Sequence, residues 1–177
     1  ARGAAFATHS GAPRGTTAVS GGFELVTSLE QTIESILPGV QKPSRYIGGE
    51  SNQVVKDPET ATARVVWSYP DAYEIGISNQ ALQILYSMVN ERTGAWAERT
   101  YCPWPDMADA MRREQVPLFS LESWRPVRDC DLWGITLQHE LCYTNVLEML
   151  DLAGVPLHAT DRGDDDPIVM GGGPCAS

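Results

Sequence analysis

A run of strand-forming residues, Val65-Val66-Trp67, passes through Tyr69-Pro70-Asp71 straight into a helix-patterned segment. A strand that turns at once into a helix returns by a crossover, and such crossovers join parallel strands. The helix of this first unit starts behind Asn79 as N-cap, and Leu82, Leu85, Tyr86 and Val89 share one face. The pattern then recurs. Residues 99–102 read as a second strand, ended by Pro103-Trp104-Pro105, with Asp106 capping a helix through Met107 and Met111. Residues 132–137 form a buried-strand run whose helix carries Val146, Leu147, Met149 and Leu150 and stops near Gly154. Ile168-Val169-Met170 runs into Gly171-Gly172-Gly173, and residues 117–121 and 155–158 read as further short strands. Strands alternating with helices predict an open, parallel α/β sheet. Right-handed crossovers bring the carboxyl ends of its strands to one edge, where such folds bind ligands.

Ahead of the sheet, residues 1–22 are small and polar and read as a flexible arm. Residues 23–62 read as a lead-in: a helix carrying Leu29, Ile33, Ile36 and Leu37, halted by Pro38-Gly39, and a loop across 42–50. The α/β domain occupies 63–177. The formal charge of −10 argues against binding a phosphate backbone, so no nucleic-acid contact is expected. No apolar run reaches the roughly 20 residues of a membrane span, and the start lacks a secretory signal core; the expected compartment is the cytoplasm.

Three turns at the expected ligand edge have unusual composition. The first offers Asp71, Tyr73, Glu74, Gly76 and Ser78 in the pattern D-x-Y-x-x-G. Gly76 lets backbone approach a neighbour closely, and Asp71 and Ser78 suit backbone amides or ligand hydroxyls, or simply a capped helix start. The second places Thr136, Gln138 and His139 at a strand end, a polar cluster able to hydrogen-bond a cofactor. The third, Gly171, Gly172 and Gly173, is a strand end without side chains, open to a planar ring or nucleotide tail.

Other chemistries are poorly supplied. No G-K-[ST] follows the glycines, no G-x-G-x-x-G follows the first strand, and no G-x-S-x-G elbow is present. Cys102, Cys130, Cys142 and Cys175 never approach C-x-x-C or C-x-x-x-C-x-x-C spacing, and His139 with Cys142 supplies only two ligand candidates. The carboxylates of Asp164-Asp165-Asp166 cannot all face one ion and read as a solvated turn. No residue stands out as a catalyst.

Six segments in order, K-P-S-R-Y-I-G-G-E at 42–50, Y-P-D-A-Y-E-I-G-I-S at 69–78, W-A-E-R-T-Y-C-P-W-P-D-M at 96–107, P-L-F-S-L-E-S at 117–123, L-Q-H-E-L-C-Y-T-N-V-L at 137–147 and D-D-D-P-I-V-M-G-G-G-P at 164–174, carry a resemblance. The chain resembles the amino-terminal part of a family of radical S-adenosylmethionine proteins with a cobalamin-binding-like domain. The resemblance implies a flavodoxin-like, Rossmann-like sheet that precedes a radical SAM domain beyond residue 177. The partner is then that downstream domain, which would hold the 4Fe–4S cluster and S-adenosylmethionine. The chain's stop just past the glycines reads as a sheet cut short of its last helix and strand. In cobalamin domains the first turn is D-x-H-x-x-G, so Tyr73 stands where a cobalt-ligating histidine can stand. Asp71, Tyr73 and Gly76 correspond to that motif, Thr136 and Gln138 to the S-x-L turn, and Gly171 and Gly172 to the third turn. The implied cofactor is cobalamin without a histidine lower ligand. The alternatives are an interaction or substrate-presenting module that kept the fold without the cofactor, with the Gly48-Gly49 loop contacting the rest of the parent, and a flavodoxin-like binder of a flavin or nucleotide.

Overall fold

The computed structural model describes residues 21–176, with side chains from residue 29; the expected arm lies outside the described residues except for Gly21 and Gly22, which open helix α1 (Gly21–Ile36). Beyond α1, short 3-10 turns at Leu37–Gly39 and Pro43–Arg45 lead through an irregular segment to β1 (Ala63–Tyr69). The rest follows the predicted alternation: α2 (Tyr73–Gly76), α3 (Gln80–Asn90), β2 (Ala95–Tyr101), α4 (Pro105–Arg113), β3 (Leu132–Thr136), α5 (Tyr143–Ala153) and β4 (Ile168–Gly172). The four strands form one all-parallel sheet in the order β2-β1-β3-β4, with helices on both faces. The fold is therefore α/β, and its order is that of the first four strands of a flavodoxin-like sheet.

The two faces are covered unequally. On one, Ile33 and Ile36 of α1, Met107 and Met111 of α4, and Met149 and Leu150 of α5 pack against Val66, Trp133 and Ile135. On the other, α3 sets Leu82 and Tyr86 against Trp67, Tyr69, Ala97 and Tyr101. The Trp67 indole lies across Gly134 of the neighbouring strand, where any Cβ would collide with it.

Several local expectations are corrected. β2 begins at Ala95, four residues early, because its charged centre is buried by ion pairing rather than by apolar side chains. Arg64 pairs with Glu98, whose carboxylate also accepts from Ser120 Oγ at 2.8 Å. Arg99 Nε meets Glu122 at 2.7 Å, and its guanidinium lies 4.1 Å from the Tyr86 ring centroid. Residues 117–121 are not a strand of the sheet; they run beside β2, with a lone bridge between Phe119 and Pro126 and a bond from Leu121 N–H to Arg99 O at 2.8 Å. Residues 155–158 form no strand. Helix α4 starts behind Trp104 with Pro105 in its first turn; Asp106 sits inside the helix and does not cap it. Gly171 and Gly172 belong to β4, so the third turn shortens to Gly173, Pro174 and Cys175.

Candidate functional site

The first turn is built by hydrogen bonds local to it. Asp71 Oδ1 accepts from Ala72 N–H at 2.7 Å, fixing the corner after β1, and Asn79 Oδ1 accepts from Leu82 N–H at 2.9 Å to cap α3. Ser78 Oγ donates to Ile75 O at 3.1 Å and is thereby spent on its own turn. Tyr73 turns toward β2: its ring meets Tyr101 edge-on, with centroids 5.5 Å apart, and its hydroxyl donates to Glu50 of the lead-in. Burial, reinforced by that carboxylate, pushes the phenol up to about 12. Gly76 is buried under the same Tyr101 ring; a Cβ there would collide with the ring and reach 2.8 Å from Tyr69 Cβ. The glycine of D-x-Y-x-x-G thus admits an aromatic side chain of this chain.

The lead-in that supplies Glu50 is packed onto the turn throughout. Arg45 Nε holds Glu74 at 2.9 Å, which with the other hydrogen bonds there brings that carboxyl down to about 2. The Arg45 guanidinium also lies 4.7 Å from the Trp104 ring centroid. The Gly48 loop is engaged internally, since a Cβ at that position would strike Leu121 O.

The second and third turns are bound to each other. Leu137 N–H donates to Gly172 O at 2.6 Å, and Cys175 N–H donates to Leu137 O at 3.1 Å. Gly173, at φ 123°, has no room for a Cβ, which would sit 2.5 Å from Leu137 O; Gly171 faces Leu137 Cδ1, while Gly172 borders open space. Thr136 is buried with its hydroxyl unpaired, and His139 Nδ1 is likewise buried without a partner among the described residues. Gln138 is half-buried beside them. Asn145 Nδ2 donates to Pro70 O at 2.9 Å and ties α5 to the first turn.

The sheet therefore brings all three turns to its carboxyl edge, yet the predicted residues do not converge on one site. Tyr73 and Gly76 are absorbed against β2, whereas Thr136, Gln138, His139 and Gly171–173 lie at β3 and β4. Asp71 instead lines an open cleft of about 450 Å³ together with Cys102, Trp104, Arg112, Asn145 and Glu148. Burial pushes the Cys102 thiol up to about 12, so it is protonated and unreactive at neutral pH. Within that cleft Arg112 is already held by Glu148 at 2.9 Å and Asp151 at 2.8 Å. Sequence reasoning missed Trp104, Arg112 and Asn145, whose signal is tertiary: Trp104 precedes α4, Arg112 lies in its last turn and Asn145 sits in α5.

The first turn offers the cobalt of a corrinoid no protein ligand. A phenol held protonated by burial and by Glu50 is no anionic ligand for cobalt, and Tyr101 fills the hollow that the glycine would leave. Among the described residues no three His, Cys, Asp or Glu side chains converge as a metal site; Cys142 Sγ instead donates to His139 O at 2.8 Å. Nor, among those residues, is any helix long and apolar enough to cross a membrane.

A family model described as the N-terminal part of radical SAM proteins matches residues 81–177, more than half of the chain. No curated protein and no solved structure matches.

Proposed function

Because this chain belongs to the family of radical SAM protein N-terminal regions, we propose that it is a non-catalytic scaffold domain that kept a cobalamin-domain-like sheet and filled the first cofactor turn with its own side chains. In this reading the cluster, S-adenosylmethionine and the radical chemistry belong to a partner domain of the same cytoplasmic protein, and the present domain positions and shields that partner. The observation that carries it is the plug of Tyr73, Glu50 and Tyr101 over Gly76. A cofactor slot needs an empty, mostly preformed hollow; here the hollow is packed, and the lead-in that packs it is hydrogen-bonded and ion-paired in place.

A second reading rests on a different observation. The unpaired buried hydroxyl of Thr136 and the open space beside Gly172 leave polar capacity at β3 and β4 that a corrinoid tail would satisfy without any lower ligand. Incubation with hydroxocobalamin followed by desalting separates the two. The scaffold reading expects no corrinoid absorbance in the protein fraction; stoichiometric retention by folded protein sinks it. A yellow flavin spectrum in protein as purified would replace both with a flavodoxin-like binder.

A further inference from the structure

The lead-in, Tyr73 and the end of β2 enclose a chamber of about 20 Å³, room for one water-sized guest. Arg45 and Tyr46 wall it from the lead-in, Tyr101 from β2, and Met111, Phe119 and Leu121 supply apolar surface. Most of the polar side chains around it are spent elsewhere. Tyr73 Oη donates to Glu50, Thr100 Oγ1 donates to Phe119 O at 2.9 Å, and Tyr46 Oη accepts from Trp104 N–H at 3.1 Å.

Two polar atoms are left over. Tyr101 is 6% exposed, and its hydroxyl has no partner among the described residues. Arg45 is 9% exposed, and its Nη1 makes no hydrogen bond among them either, although the nearby Tyr46 hydroxyl helps to keep the guanidinium charged. Leaving a buried polar atom unanswered is costly, and folded proteins answer such atoms with protein groups or with an ordered guest. Both atoms offer protons. A guanidinium nitrogen only donates, and burial raises the Tyr101 phenol well above its ordinary value, so it keeps its proton. Two donors on one water-sized chamber have an acceptor as their complement.

We propose that this chamber is a binding site for a single water-sized hydrogen-bond acceptor, a water molecule or a halide ion, held by Arg45 Nη1 and Tyr101 Oη. The guest joins the lead-in to the sheet, because Arg45 closes the second 3-10 turn of the lead-in and Tyr101 is the last residue of β2. None of the chamber's walls belongs to β3 or β4, so the site is independent of whether a corrinoid tail binds at those strands.

The test is a high-resolution crystal structure of the whole chain grown in sodium bromide, with anomalous data at the bromine edge. A peak hydrogen-bonded to both Arg45 Nη1 and Tyr101 Oη is expected; anomalous signal on it identifies the guest as a halide, and its lack identifies water. No peak bonded to both atoms overturns the proposal. In solution, Tyr101→Phe keeps the ring over Gly76 and removes only the hydroxyl. With a guest in place this deletes a hydrogen bond, so the urea midpoint should fall, with a roughly two- to tenfold loss in the folding constant. A hydroxyl that no guest serves would be relieved by the same change, so an unchanged or raised midpoint overturns the proposal. The crystal result decides alone should Y101F not fold.

Discussion

Gly76 shows how one residue can keep a motif's shape and change its meaning. The sequence makes it a place where backbone comes close to something, and the structure identifies that neighbour as the Tyr101 ring. Nothing local could have revealed this, because Tyr101 arrives from the next strand, paired with Tyr69 in the sheet register. Gly76→Ala should destabilise the domain by about 1–3 kcal/mol through overpacking, measured by urea unfolding. In a Tyr101→Ala background the penalty should shrink markedly, a coupling that a glycine kept for a ligand would not show. Thr136 and Asp71 were equally legible as edge residues. Their separation was not legible, since it depends on which side of the sheet edge each turn leans toward.

At the level of elements, β1, α3, β3, α5 and the start of β4 were readable from apolar periodicity alone. The first half of β2 was not, because Glu98 and Arg99 are wholly buried charges whose partners lie far along the chain at Arg64 and Glu122. The segment 117–121 was misread for the complementary reason: it is apolar because it packs beside β2, and it serves that strand as a cap without entering the sheet. Glu98→Gln should cost about 3–5 kcal/mol, since Arg64 would remain buried and uncompensated, while R64M/E98L should recover most of the loss; denaturant midpoints measure both. Adjacent charges of opposite sign also fix pairing, because a one-residue slip would send Glu98 and Arg99 to the wrong faces of the sheet.

The whole molecule is covered and pinned unequally across its sheet. Three helices, α1, α4 and α5, stack on one face against α2 and α3 on the other, and β2 is tied along its outer side by Asn90, Glu122 and Leu121. Protection from opening follows buried contacts and satisfied backbone, so stability is not uniform across the sheet. Within the sheet domain, from Ala63 onward, limited proteolysis should cut first within residues 157–166, ahead of β4, where side chains are mostly exposed; early cleavage near β2 would contradict this. The β2 side therefore acts as the clasp of the sheet: it cannot part without stripping Glu98, Arg99 and Glu122 of their partners at once.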